Sequence, residues 1–107
     1  MPDTPQGQPA THYQWEFNPQ TPLHLFYRGS RDEWTEWFDS EVWAHSLEDL
    51  STWRDLERDL MVGNPVREPV VAVLIEGKLY IWDGHHRVGC SYKYDRLTVP
   101  CLIGTPL

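Results

Sequence analysis

Basic residues are scarce in this chain of 107: nine Lys and Arg stand against sixteen Asp and Glu, a formal net charge of −7. Duplex DNA binding draws most of its affinity from phosphates neutralised by basic side chains, so this balance argues against a dedicated DNA-binding surface. A local basic pocket for one nucleotide is compatible with it. Cysteine is nearly absent. Cys90 and Cys101 are too few for a disulfide framework and have no Cys-x-x-Cys spacing, so thiols in a reducing compartment are expected. No apolar run approaches the ~18 residues that span a membrane. The start of the chain is a Pro/Gln/Thr tract without the apolar core of a signal peptide. The expectation is a cytoplasmic protein that neither crosses a membrane nor carries a dedicated DNA-binding surface.

What is present points to a folded domain. Apolar residues make up 40% and aromatics 13%, too many for a chain that cannot bury a core. The length suits one modest core, with residues 1–12 as a tail and 13–107 as a single domain. Tyr13, Trp15 and Phe17 alternate with polar neighbours and predict a strand, which Asn18-Pro19-Gln20-Thr21-Pro22 would break. Leu23 to Tyr27 reads as a second short strand and residues 28–31 as a turn. Trp34, Trp37, Phe38 and Val42 recur at three and four residues, which predicts a helix over 32–45. A second helix is expected from Ser46, with Ser46 and Asp49 as an approximate capping box and Leu47, Leu50, Trp53, Leu56 and Leu60 inward. Gly63-Asn64-Pro65 would end it.

The unbroken apolar run of residues 70–75 reads as a strand covered on both faces. Glu76-Gly77 is a hairpin turn, residues 79–82 the returning strand, and 84–94 a helix whose Gly89 would allow close packing on the sheet. Residues 98–103 close the sheet. Pro100 lacks a ladder donor, so that strand is expected at an edge or with a bulge.

The most informative stretch is Trp82-Asp83-Gly84-His85-His86-Arg87. An apolar strand stops at an aspartate, a glycine opens a helix, and two histidines and an arginine occupy its first turn. The first N–H groups of a helix lack internal partners, and the helix dipole leaves partial positive charge there. A glycine admits an anion close to the backbone, and a guanidinium fork suits phosphate oxygens. The corner therefore reads as a phosphate-binding strand–turn–helix.

This stretch, with the hairpin before it and the helix and strand after it, resembles the ParB/sulfiredoxin-like superfamily and its Gly-x-x-Arg motif, over residues 47–104. The resemblance implies a small α+β domain, a mixed sheet with packed helices, that binds a nucleotide or phosphate at Gly84, His85, His86 and Arg87. The ligand would be ATP, ADP or CTP, with Mg²⁺ bridging phosphates. Sulfiredoxins carry a reactive cysteine directly after the motif glycine. Here that position is His85, which argues against their chemistry. Partition proteins append a helix-turn-helix domain and a dimerisation tail, which are not expected here. Asp-Gly-His-His-Arg is most similar to the free-serine kinase version, which implies phosphoryl transfer or nucleotide hydrolysis with an acid from residues 32–57 as a further candidate.

Each residue also has a plainer reading. Asp83 is either a helix cap, a magnesium ligand through water, or a base on a hydroxyl, and Asp83 and His86 are the catalytic candidates. Adjacent His85 and His86 diverge by roughly 100° on a helix, so they cannot face one ligand equally. Arg87 either holds phosphate or pairs with a carboxylate such as Asp83. Arg28 and Arg31 are further cations that could reach the anion. His86 and Cys90, four apart, would make half a zinc site, but no second half exists, and no metal centre is expected. Residues 32–53 hold seven carboxylates, four tryptophans and no Lys or Arg. They either pack aromatics inward or present Trp34, Trp37 and Trp43 as a surface for a basic protein partner, acting as an inhibitor or adaptor.

Overall fold

The computed structural model describes residues 10–27, 29–44 and 51–107. Four strands, β1 (Tyr13–Pro22), β2 (Val70–Ile75), β3 (Lys78–Asp83) and β4 (Thr98–Pro106), form one mixed sheet in the order β1-β4-β2-β3. Only the β2–β4 pair is parallel. Among the described residues there are three α-helices: α1 (Arg31–Ala44), α2 (Ser51–Met61) and α3 (His85–Lys93). The protein is thus a small α+β domain. No helix among the described residues is long and apolar enough to cross a membrane.

Strand alternation separates the sheet's two faces. Val70, Ala72, Leu79, Ile81, Val99 and Cys101 point to one side, where they join Leu23, Phe26, Trp34, Phe38, Leu60 and Val88 in the core. Helix α3 lies on β2 and β4 there, and α1 and α2 pack against α3. Helix α1 buries Trp34 and Phe38, with Trp37 and Val42 packed at the margin, as its three-and-four spacing predicts. Gly89 faces α1 rather than the sheet. A Cβ there would lie 3.0 Å from Phe38 Cβ and 3.3 Å from the Trp37 ring, so the glycine sets how closely α1 and α3 approach. Ser30 and Glu33 cap α1 reciprocally: Glu33 N–H donates to Ser30 Oγ (3.3 Å) and Ser30 N–H to Glu33 Oε1 (3.2 Å).

Two local expectations are corrected, and a third is met in one of its two forms. The segment from Asn18 to Pro22 does not break β1. The strand runs through it to Pro22, with a register shift between Asn18 and Thr21. Leu23–Leu25 is a 3-10 turn, after which Phe26 bridges to Leu79 rather than forming a strand. β4 is internal rather than at an edge, and of the two places expected for Pro100 the bulge is the one observed: Pro100 sits opposite the β1 register shift. Asn18 pairs with Cys101 and Thr21 with Val99, leaving Pro19 and Gln20 across from Pro100. Pairing with β2 starts only at Cys101, so neither neighbour asks Pro100 for a donor.

The hairpin turn is as expected, with Glu76 (φ 51°) and Gly77 (φ 80°) both in positive-φ conformations. Ala10–His12 form a 3-10 turn, so the last three residues of the expected tail have defined structure. Residues 1–9, Arg28, the Ser46 capping box, Leu47 and Leu50, and the Trp53 side chain lie outside the described residues.

Candidate functional site

β3 ends at Asp83, and α3 begins two residues later. Gly84 joins them with φ 111° and ψ 23°, a left-handed conformation that strains any residue carrying a Cβ. The fit is tight as well. A Cβ on Gly84 would lie 3.0 Å from Arg87 Nη1 and 3.1 Å from both Cα and Cγ2 of Val70. The corner is thus wedged against the central strand, and its carbonyl accepts the Val88 N–H that starts the helix (3.1 Å).

Arg87 folds back over this glycine. Nη2 reaches Glu68 Oε2 at 2.9 Å, Nη1 donates to the Pro69 carbonyl at 3.4 Å, and Nη1 lies 3.8 Å from Asp83 Oδ2. The guanidinium is largely buried, at 21% exposure, whereas its two carboxylate partners are largely exposed. Asp83 makes no side-chain cap to α3; it serves as a partner of Arg87, the surface-pairing reading. Glu68 has no distinguishing local pattern in the sequence, and only the return of the chain into β2 brings it to Arg87.

The two histidines turn toward α1. His86 Nε2 lies 3.3 Å from Glu41 Oε1, and its ring centroid is 4.9 Å from that of Trp37. The His85 ring sits 6.3 Å from Trp37 and 6.4 Å from Trp34. Both histidines therefore abut one indole despite their angular divergence, because Trp37 lies across the helix start. Among the described acids of residues 32–57, Glu41 reaches this end of α3.

Asp39 and Glu57 of that segment act elsewhere. Lys93, at the far end of α3, bonds Asp39 Oδ1 (2.6 Å) and Glu57 Oε2 (2.9 Å), and Tyr94 Oη donates to the same Glu57 oxygen (2.8 Å). Burial works against the Lys93 charge, but the two carboxylates outweigh it and hold the ammonium above its ordinary range. Burial, reinforced by the bond to Glu57, pushes the Tyr94 phenol up to about 12. Arg31 pairs with Asp95, just past the end of α3, and so does not join the corner.

Among the described residues no group of three His, Cys, Asp or Glu is arranged to hold a metal ion. Cys90 is fully buried, and burial, with the nearby Glu57 charge, pushes its thiol up to about 12. It is a core residue, not half of a zinc site. Burial does the same to Cys101.

The tryptophan surface on α1 is corrected. Trp34 is in the core at 9% exposure, Trp37 is half-buried against the histidines, and only Trp43 stands free of the packing, at 79%. Of these three tryptophans, Trp34 packs fully inward, Trp37 partly, and Trp43 outward. Compared with models of protein families, with curated proteins and with solved structures, the chain finds no match, so the role of the corner has to be argued from its own residues.

Proposed function

We propose that the helix start at Gly84, His85, His86 and Arg87 holds the phosphate groups of a nucleotide. The observation that carries this reading is the Arg87 guanidinium, held against a left-handed glycine at a helix N-terminus by two exposed carboxylates. An anion there would meet first-turn N–H groups, the positive end of the helix dipole and a guanidinium fork together. Exposed ion pairs contribute only ~0–1 kcal/mol, so a phosphate displaces Glu68 and Asp83 from Arg87 at small cost. Mg²⁺ brought with the nucleotide would offset the remaining negative charge of this corner.

The similarity to the free-serine kinase motif extends the reading to phosphoryl transfer or nucleotide hydrolysis. Asp83 would accept the proton of the attacking hydroxyl or water. Glu41 would hold the His86 ring in the orientation in which it hands a proton to the phosphate side. Two free thiols suit the reducing cytoplasm, and that is where we place the protein. The adaptor reading through Trp34, Trp37 and Trp43 loses its support with Trp34 in the core.

The test is thermal stability with ATP, ADP, CTP and GTP, with and without Mg²⁺, for the wild type and Arg87→Ala. A ligand at ~100 times its Kd stabilises the folded state by about 2.7 kcal/mol. The expected result is an upward shift with one nucleotide that the variant loses. No shift with any nucleotide overturns the reading. Phosphate release by the wild type, absent in Asp83→Asn, then decides between binding and turnover.

A further inference from the structure

Arg87 is already engaged at its corner. Nη2 donates to Glu68 Oε2 at 2.9 Å, and Glu68 comes from the segment between α2 and β2, outside the strand and helix that form the corner. Asp83 stands farther off, 3.8 Å from Nη1 and beyond hydrogen-bond reach. Nη1 is held instead by the Pro69 carbonyl at 3.4 Å. The two nitrogens thus have different partners: a main-chain carbonyl on one, and on the other a carboxylate that is 77% exposed.

The backbone on either side of Glu68 is pinned. Arg67 grips Asp59 of α2 through two nitrogens, Nε at 3.0 Å from Oδ2 and Nη2 at 3.2 Å from Oδ1. Val66 and Val70 are buried, and Val70 opens β2. The Glu68 carboxylate can therefore leave Nη2 by rotation of its own side chain, while the segment and the guanidinium stay in place. Until it leaves, it fills the position on Nη2 that an incoming anion would take. Being tethered, it acts there at an effective concentration on the order of millimolar or higher.

We propose that Glu68 is an internal competitor for the anion place on Arg87, and that it makes the corner selective for phosphates over carboxylates. The proposal rests on the nucleotide reading of this corner and names what that site refuses. A free carboxylate offers Arg87 the same group that Glu68 already supplies, and it loses its own freedom of motion on binding. Exchange therefore gains it nothing. A terminal phosphate carries about two charges and three acceptor oxygens. It can engage the guanidinium fork and the first-turn N–H groups together, whereas Glu68 reaches Nη2 through a single oxygen. Glu68 thus sets a threshold that a phosphate passes and a small carboxylic acid does not.

Calorimetric titration of the wild type, Glu68→Gln and Glu16→Gln tests this, at constant ionic strength because screening alters every charged contact. The ligands are ATP, ADP, CTP and GTP with Mg²⁺, and succinate without it. Glu16 is exposed on β1, at the sheet edge opposite β3, and controls for the loss of one negative charge. Glu68→Gln is expected to bind the nucleotide about fivefold more tightly than wild type, which is what an exposed ion pair contributes at the upper end of its range. It is also expected to gain binding of succinate in competition with the nucleotide. Glu16→Gln should match the wild type in both. Because Glu68 is exposed, Glu68→Gln should retain the wild-type melting. Nucleotide affinity unchanged or weakened in Glu68→Gln overturns the proposal and leaves the nucleotide reading in place, as does succinate bound no better by that variant than by the wild type. Absence of nucleotide binding by both overturns the reading and the competitor with it. Binding by Glu68→Gln alone supports the competitor and overturns the nucleotide reading of the wild type, whose own carboxylate then keeps the corner closed.

Discussion

Replacing Gly84 by alanine tests whether the corner is as tightly built as its geometry implies. Two effects add. At φ 111° a residue with a Cβ is strained by about 1–2 kcal/mol. The new methyl would also sit 3.1 Å from the Cα of Val70, on the central strand, and 3.0 Å from Arg87 Nη1, which is already bonded to the Pro69 carbonyl. The arginine tip can shift, but the strand backbone cannot, which adds about 1 kcal/mol of crowding. Gly63→Ala is the control. That glycine has φ 91° and nothing within 4 Å of the added Cβ, so only the backbone strain applies. In thermal unfolding, where 1 kcal/mol corresponds to about 4–8 °C in a domain of this size, Gly84→Ala is expected to melt about 10–20 °C below wild type. It should also melt about 4–8 °C below Gly63→Ala. Equal melting of the two variants would show that the wedge against Val70 is not tight, and the placement of Arg87 over the glycine would fall with it.

Two further outcomes follow from the interior. Cys90, Cys101 and Tyr94 each hold their proton to about pH 12 in the folded protein, above ordinary values of 9.0 for the thiols and 10.0 for the phenol. A folded-state pKa above the unfolded one contributes stability that is complete below the unfolded value and is lost as pH rises through the folded one. The free energy of unfolding from urea titrations should therefore fall progressively above about pH 9 for the thiols and above about pH 10 for the phenol, by up to ~1.4 kcal/mol per pH unit for each group. Cys101→Ala should show a shallower slope, and a midpoint constant between about pH 8 and 10 would contradict this. Lys93→Met would leave Glu57 and Asp39 facing each other without their cation, at a cost of about 1–3 kcal/mol, while adding Glu57→Gln should recover part of it. Denaturant unfolding of the single and double variants measures both, and a double variant no better than the single one would show that charge is not what Lys93 supplies.

Elements marked by short-range signals are legible in the sequence alone. Trp34 and Phe38 recur at helical spacing, Gly63 and Pro65 stop a helix, Glu76-Gly77 demands positive φ, and Asp83-Gly84 separates a strand from a helix. Each depends on residues within about one turn of one another, where sterics and backbone bonding act directly. The Ser30–Glu33 cap is equally local, and its Ser-x-x-Glu pattern is signal enough to find it. The place of β4 is not legible, because Pro100 states only that its own nitrogen cannot donate. Whether a neighbouring strand asks for that donor depends on the shift at Pro19 and Gln20, about eighty residues away in the chain.

The sequence by itself thus determined an α+β chain with a glycine-hinged strand–helix corner bearing His85, His86 and Arg87. Only the tertiary structure decided what those side chains meet: Glu68 and Asp83 on Arg87, Glu41 and Trp37 on His86. It alone also turned Trp34 inward and set Trp15, Phe17 and Tyr80 on the sheet face opposite α3. The physical reason is the same in each case. Periodicity tells that a helix or strand has two faces, but which face is covered, and which carboxylate a cation finds, depends on contacts between segments whose register no local pattern encodes.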